Sequence, residues 1–96
     1  MDTCASLPIE GEMTIYRAAE LKDTVLAAIA DAQALDIDLR LVEEIDTSGI
    51  QLLLLARREA ARQEKPLRLI GHSAAVREGL AMLGFGEQLD PIGATA

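Results

Sequence analysis

Apolar residues in this chain follow two spacings that alternate from one segment to the next. A spacing of two residues indicates a half-buried strand, whereas a spacing of three or four indicates one face of a helix. The strand-like segments are 6–16, 36–42 and 67–71, and the helix-like segments are 17–33, 49–64 and 73–83. Such alternation favours parallel strands joined by right-handed crossovers. We therefore predict an α/β fold, with a small mixed sheet of about four strands and three helices packed against it.

Two residues limit how the first strand-like segment can pair. Gly11 interrupts the alternation, so the segment forms either one bent strand or two short ones. Pro8 has no N–H to donate to a ladder, so this segment should lie at an edge of the sheet. Its apolar residues are Leu7, Ile9, Met13 and Ile15. In the next strand the apolar positions, expected on the buried face, are Ile37, Leu39 and Leu41.

The last helix-like segment carries its own start and stop signals. Ser73 is a candidate N-cap, and Gly84 can end the helix. The apolar residues near its end are Leu80, Met82, Leu83 and Phe85. We expect these to pack in the core or at the helix stop. His72, the only histidine, is expected to end the preceding strand and to form a local hydrogen bond.

Charge and composition narrow the class of partner. The 96 residues include 16 acidic and 9 basic side chains, a net charge of −7. Such a surface repels phosphate backbones and anionic lipid, so we expect neither nucleic acid nor membrane insertion; a basic face on another protein fits better. Only Tyr16 and Phe85 are aromatic, which leaves no platform for stacking bases. A chain of this length is expected to form a single domain, residues 1–96.

The sequence also indicates a compartment. Cys4 is the only cysteine, so an internal disulfide is excluded and a reducing environment fits. No apolar run approaches the roughly 18 residues that span a bilayer. The N-terminus has no basic region followed by an apolar stretch. We therefore expect a cytoplasmic protein, with terminal tails at residues 1–5 and 93–96.

The segment EEIDTSGIQ, residues 43–51, joins the second strand to a leucine-rich helix. The first N–H groups of a helix have no partner within it, and Asp46, Thr47 and Ser48 can each supply a capping oxygen. Capping alone, with Gly49 relieving crowding, is one interpretation. The segment has three carboxylates beside its hydroxyls, however, which is more negative charge than a single cap requires.

The helix that follows has two distinct sides. At about 100° per residue, one side contains Leu52, Leu53, Ala56 and Ala60. The other side contains Ser48, Gln51, Leu55, Arg58 and Arg62. Leu55 thus lies among polar neighbours, as a contact residue on a recognition surface would. A docking stripe that begins at Ser48 is therefore the second interpretation.

The pattern Ile45-Asp46-Thr47-Ser48-Gly49-Ile50 follows an acidic strand end and enters a leucine-rich helix. It resembles the signature of STAS domains, the family of sulfate-transporter tails and anti-sigma factor antagonists. Gly11-Glu12-Met13 is similar to the Gly-Glu-Leu that ends an early strand of that family, and PLRLIGHSAAVREGLAMLGF is similar to its last strand and helix. The resemblance covers about residues 7–90 and implies the STAS fold.

In the antagonists, a serine at the position of Ser48 is phosphorylated by a partner kinase that is also an anti-sigma factor, and the unmodified protein binds that partner. The resemblance thus implies a non-enzymatic signalling module in which Ser48 is phosphorylated. The implied partner is a serine kinase/anti-sigma factor or another signalling protein. The expected partner-binding residues are Asp46, Thr47, Ser48, Gly49, Gln51, Leu55 and Arg58.

Two residues depart from the antagonist pattern, which has an aspartate at the position of Thr14 and a small residue at that of Gln51. The segments MTIYRAAELK and DTSGIQLLLLARREA are closer to STAS proteins associated with chemotaxis or two-component signalling. Other members serve as small subunits of lipid-transport ATPases. The alternative function is therefore a constitutive subunit of such an ATPase complex or of a chemotaxis signalling assembly.

Catalysis would need a base beside a nucleophile. Ser48 with Asp46 or His72 is the available set, but the chain has no Gly-x-Ser-x-Gly elbow and a single histidine. No Gly-Lys-Ser/Thr follows a glycine-rich turn, and no metal ligands occur at a recognised spacing. We therefore expect no catalytic residue, no cofactor and no metal.

Overall fold

The computed structural model describes residues 4–84, which form alternating strands and helices. In chain order these are β1 (Cys4–Met13), α1 (Ala18–Asp31), β2 (Ala34–Ile45), α2 (Thr47–Arg62), β3 (Leu67–Ile70) and α3 (Ala74–Leu83). The strand order is β1-β2-β3, and both pairs are parallel. The predicted α/β class with three helices is confirmed. The described sheet has three parallel strands where we expected about four with mixed pairing, because the first segment forms one strand.

β1 is an edge strand of the described sheet, since β2 is its neighbour there. This is the position predicted from Pro8, because Pro8 has no N–H to donate to a neighbouring strand. Cys4 and Ala5, expected in a terminal tail, instead pair with Ala34 and Leu35 of β2. The ordered sheet therefore begins earlier in the chain than the sequence indicated.

The pairing of β1 with β2 shifts register twice, between Pro8 and Glu10 and again after Gly11. At each shift, β2 has one residue more than β1. An extra residue moves the following side chains to the other face of the sheet. Val42 is consequently 2% exposed, whereas Leu41 is 52% exposed. The predicted burial of Leu41 is wrong, because simple alternation does not include a bulge.

α1 and α2 lie on the same face of the sheet, because each joins neighbouring parallel strands by a right-handed crossover. They pack against each other and bury their inner faces in the core. The buried residues of these helices are Leu21, Val25 and Ile29 of α1 and Gly49, Ile50, Leu52, Leu53, Ala56 and Ala60 of α2. The predicted apolar side of α2 is thus confirmed. Within residues 4–84, no helix has the length and apolarity that a bilayer span requires.

The opposite face of the sheet carries charged side chains. Asp36 and Arg68 are partners in the register of β2 and β3, and Arg68 donates from Nε to Oδ1 (2.9 Å) and from Nη2 to Oδ2 (2.7 Å). These hydrogen bonds, opposed by partial burial, lower the pKa of Asp36. On the same face, Arg40 donates from Nε to Asp38 Oδ1 at 3.1 Å. This face is therefore polar, and the helices cover the apolar one.

α3 begins and ends where its signals predict. The Ser73 side chain accepts a hydrogen bond from the backbone N–H of Val76 (3.2 Å), and Gly84 ends the helix in the left-handed conformation, φ 79°. Leu80 is buried as expected, but Met82 is 81% exposed and Leu83 is 42% exposed. The core prediction is therefore wrong for Met82 and for Leu83, which are both exposed in the last turn of the helix. Phe85 lies outside the described residues.

Candidate functional site

Asp46 alone separates the end of β2 from the start of α2. Its backbone is extended, and its Oδ1 accepts hydrogen bonds from the backbone N–H groups of Ser48 (2.8 Å) and Gly49 (3.2 Å). Asp46 is therefore the N-cap, which selects one of the three candidates that the sequence left open. The hydroxyls of Thr47 and Ser48 are not needed for capping.

The same carboxylate also holds the loop between β1 and α1. Oδ2 of Asp46 accepts a hydrogen bond from the backbone N–H of Ile15 at 3.1 Å. The backbone N–H of Asp46 donates to the Met13 carbonyl at 3.2 Å. The β1–α1 loop and the β2–α2 junction, which are far apart in sequence, are thus fixed side by side at the carboxyl ends of the two strands.

Gly49 allows α2 to approach β1 closely. A Cβ at this position would overlap the Met13 carbonyl oxygen and would lie 2.8 Å from both Met13 Cβ and Ile45 Cγ1. Gly49 is buried, so it lies beneath the predicted partner-binding surface and not on it. Its role there is to position Ser48 and Asp46, because any side chain would push the head of α2 away from the strands.

The remaining predicted contact residues lie at or near the surface. Thr47, Gln51 and Arg58 are exposed, and Ser48 and Leu55 are half-buried. Among the residues that the structure describes, the Ser48 hydroxyl has no hydrogen-bond partner. The head of α2 therefore presents a hydroxyl that no residue between 4 and 84 uses.

An open groove of about 360 Å³ runs between α1 and α2 beside Ser48. Its apolar lining consists of Ala18, Ala19, Leu52 and Leu55, and its polar lining consists of Lys22, Ser48, Gln51 and Arg58. Leu55 was expected to stand among polar neighbours, but it packs partly against the core as well as lining this groove. We name this feature the α1–α2 groove. It brings together four of the predicted contact residues.

Sequence reasoning missed the part of the site that α1 and the loop before it supply. Ile15, whose N–H donates to the Asp46 carboxylate, is 66% exposed, and the next residue, Tyr16, is 89% exposed. The resemblance to chemotaxis-associated proteins included this segment, but nothing in the sequence placed it next to residue 46. Thr14, by contrast, is 9% exposed and donates its hydroxyl to Glu12 Oε1 at 3.3 Å. The side chain at this position, where the chain departs from the antagonist pattern, is therefore mostly buried.

Two arginines of the predicted stripe have different surroundings. Arg62 donates from Nε to Glu59 Oε1 (3.1 Å) and from Nη2 to Glu59 Oε2 (2.5 Å), and Gln63 adds a further hydrogen bond to that carboxylate. Arg62, and then Gln63, lower the pKa of Glu59 to about 2. Arg58 forms no ion pair with any residue between 4 and 84. Arg62 is thus paired within its own helix, while Arg58 has no ion pair among the described residues.

The described residues include no group of three His, Cys, Asp or Glu side chains placed to hold a metal ion. His72 is 7% exposed and lies between β3 and the N-cap of α3. The head of α2 presents the Ser48 hydroxyl beside a groove lined by both apolar and polar side chains.

A family model described as "Mlab, STAS domain" matches residues 1–91. No curated protein matches the chain by sequence. An anti-sigma factor antagonist from Mycobacterium paratuberculosis has a similar structure, with a TM-score of 0.79 and 23% identity over 94% of this chain and 77% of that one. For a sulfate transporter family protein from Wolinella succinogenes, the TM-score is 0.73 and the identity 23%, over 93% and 73% of the two chains. For the phosphorylated form of the Bacillus cell fate determinant SpoIIAA, the TM-score is 0.67 and the identity 18%, over 91% and 80%.

At these identities the solved structures show a common fold. The family model adds sequence agreement over nearly the whole chain. The chain therefore belongs to the STAS domain family.

Proposed function

We propose that this domain is a non-enzymatic signalling module of the cytoplasm that binds a partner protein through the surface around Ser48. Phosphorylation of Ser48 regulates that binding. The observation that carries the proposal lies at the head of α2. There the Asp46 side chain caps the helix, and the Ser48 hydroxyl has no hydrogen-bond partner among the described residues. The partner is a serine kinase/anti-sigma factor or another signalling protein.

Phosphorylation would act on the surface and leave the fold intact. A phosphate adds about 1.5 to 2 negative charges at neutral pH. A free helix N-terminus could bind that charge. Here, however, the Asp46 carboxylate already accepts from the N–H groups of Ser48 and Gly49, so the phosphate charge would remain directed at a partner. Glu43 and Glu44 are exposed nearby in the chain and add to the negative potential.

The similar solved structures support this proposal by analogy. The Mycobacterium paratuberculosis protein and SpoIIAA are both described as anti-sigma factor antagonists. SpoIIAA has been solved in unphosphorylated and phosphorylated forms. A scaffold of this shape therefore tolerates phosphorylation, although one fold serves several functions in general.

A constitutive subunit of a lipid-transport ATPase complex or of a chemotaxis assembly is the second candidate. The exposed Ile15 and Tyr16 favour it, because permanent interfaces bury more apolar surface than transient ones. This candidate predicts stable co-purification and no response of binding to the charge at Ser48.

The test is affinity purification from the native cell, with intact-mass measurement of the recovered domain. We expect one ATP-binding signalling partner and a fraction of the domain that is heavier by one phosphate at Ser48. Ser48→Ala should retain the partner and lose the heavier form, whereas Ser48→Asp should lose the partner. Thr24→Ala is the control, because Thr24 is an exposed hydroxyl residue of α1 that does not line the α1–α2 groove, and it should change neither result.

Equal retention of the partner by Ser48→Ala and Ser48→Asp, with no modified fraction, would support the constitutive subunit. A heavier form that persists in Ser48→Ala but disappears in Thr47→Ala would move the modified site to the neighbouring hydroxyl.

A further inference from the structure

The α1–α2 groove has the opposite charge to the protein as a whole. Lys22 and Arg58 line it, both are exposed, and none of the described lining residues is a carboxylate. Neither cation forms an ion pair with any residue from 4 to 84. The chain carries a net charge of −7, with 16 acidic against 9 basic residues. Two uncompensated cations in one groove therefore make a local exception on an acidic surface.

The shape of the groove suits a helix. It lies between two packed helices, and its lining combines small side chains, Ala18 and Ala19, with the larger Leu52 and Leu55. A ridge of side chains from a third helix can enter such a groove, with the small residues allowing close approach. Helix-in-groove binding uses an apolar face to fill the groove and polar residues on either side to fix orientation.

We infer that the α1–α2 groove binds an acidic amphipathic helix of the partner. Its apolar face would cover Leu52 and Leu55, and its carboxylates would pair with Lys22 and Arg58. This inference rests on the proposed function, because Ser48 and Gln51 belong to the same groove. It replaces the expectation, drawn from net charge alone, that the partner presents a basic face.

The same arrangement gives phosphorylation a physical route to release. A phosphate on Ser48 would bring about 1.5 to 2 negative charges into a lining whose formal charge comes from two cations. The phosphate charge would about cancel the attraction of the groove for the carboxylates of the partner helix. The phosphate oxygens would also compete with those carboxylates for Lys22 and Arg58. An acidic helix would then meet a neutral groove on an acidic protein.

The inference can be tested without the native partner. Two synthetic peptides of equal length carry leucine at helical i, i+3, i+4 and i+7 spacing; one has glutamate at the flanking positions and the other has lysine. Each is titrated into the isotope-labelled domain, and amide chemical shifts are followed by NMR. Non-specific attraction to an acidic protein favours the lysine peptide, so preference for the glutamate peptide would arise from the groove itself.

We expect the glutamate peptide to shift the amides of residues 18–22 and 48–58 and to bind at least about tenfold more tightly than the lysine peptide. Lys22→Glu combined with Arg58→Glu should reverse that preference. Arg57→Glu is the matched control, because Arg57 is exposed on the same helix but does not line the groove. Ser48→Asp should weaken the glutamate peptide by about threefold or more, and Ser48→Ala should not.

Stronger binding of the lysine peptide, or no shift at these residues with either peptide, would overturn the inference. So would shifts at the groove with phosphatidylglycerol-containing vesicles and none with the glutamate peptide, since the cations would then serve a lipid headgroup.

Affinity purification separates this inference from the proposed function. Suppose that the native partner is lost with Ser48→Asp but retained by the Lys22→Glu, Arg58→Glu variant. That result contradicts the inference of an acidic helix and leaves the proposed function standing. A partner retained by both variants contradicts the proposed function itself.

Discussion

The Asp46 carboxylate accepts a hydrogen bond of 3.1 Å from the backbone N–H of Ile15, a residue 31 positions earlier in the chain. Its other oxygen caps α2 through the N–H groups of Ser48 and Gly49. One side chain therefore fixes the loop that exposes Ile15 and Tyr16 relative to the helix that presents Ser48. This carboxylate therefore helps to fix the geometry of the surface that we propose for partner binding.

Replacing Asp46 with alanine should lower the free energy of unfolding by about 1–2 kcal/mol, because the helix loses its cap and Ile15 loses its acceptor. Urea denaturation measures this change, and hydrogen exchange at the Ile15 amide should become faster. Glu44→Ala is the control, since Glu44 is exposed and is expected to change stability by less than about 0.5 kcal/mol. An unchanged exchange rate at Ile15 would contradict the link between the loop and the helix.

Gly49→Ala should be severely destabilising, by about 3 kcal/mol or more, because its Cβ would overlap the Met13 carbonyl and crowd Ile45. Gly84→Ala provides a comparison in which no heavy atom lies within 4 Å of the added Cβ and only the left-handed backbone is strained. That variant should cost about 1 kcal/mol. Similar midpoints for the two variants in thermal unfolding would mean that α2 can move away from β1.

Ser48→Asp should change the free energy of unfolding by less than about 1 kcal/mol, since Asp46 continues to cap the helix and residue 48 is half-buried. Urea denaturation of Ser48→Asp and Ser48→Ala side by side tests this expectation. The result matters because a folded Ser48→Asp domain allows loss of the partner to be attributed to charge. A much larger loss of stability would mean that the added carboxylate displaces Asp46.

The pair of Asp36 and Arg68 should make stability depend on acid pH. Arg68 lowers the pKa of Asp36 below its ordinary value of 3.8, so the unfolded chain takes up this proton at a higher pH than the folded one. The contribution is therefore complete above that ordinary value and is lost as pH falls through the lower folded pKa. Asp36→Asn should be less stable than the parent by about 1 kcal/mol at neutral pH.

The difference between Asp36→Asn and the parent should narrow as the pH falls through the lowered pKa of Asp36, because its carboxylate then becomes protonated. Denaturation measured over an acid pH series follows it. Arg68→Gln should remove the same part of the pH dependence, and adding it to Asp36→Asn should have little further effect. A difference that stays constant with pH would contradict the ion pair.

Tyr16→Ala should leave stability within about 0.5 kcal/mol of the parent, because the side chain is 89% exposed. It should nevertheless weaken partner binding by about tenfold, as exposed aromatic residues often dominate interfaces. Met82→Ala is the matched control, being 81% exposed on α3, and should leave binding unchanged. If Ser48→Asp abolishes binding while Tyr16→Ala has no effect, the loop does not belong to the docking surface.

Local features of the site could be predicted because their causes lie within a few residues. The head of α2 is one example, since Asp46 caps N–H groups only two and three residues away. The cap of α3 is another, since Ser73 bonds the N–H of Val76. In both cases a short side chain meets the unpaired N–H groups of the next turn, and a sequence pattern captures that geometry.

The groove and the loop contact could not be predicted in this way. Lys22 and Arg58 line one groove because α1 and α2 pack side by side, although 36 positions separate them in the sequence. Tyr16 joins the site through the hydrogen bond that the neighbouring Ile15 forms with Asp46. These residues are close in space because of the strand order, and no local sequence pattern indicates the strand order.

The sequence by itself determined the alternation of strands and helices, the helix ends and the placement of a serine at a capped helix head, since these depend on residue spacing and short-range hydrogen bonds. Only the tertiary structure decided which face each residue occupies where strands shift register, as with Leu41 and Val42. It also decided the charge of the groove. Parallel crossovers set α1 beside α2, and that packing collects two cations from distant segments on an otherwise acidic protein.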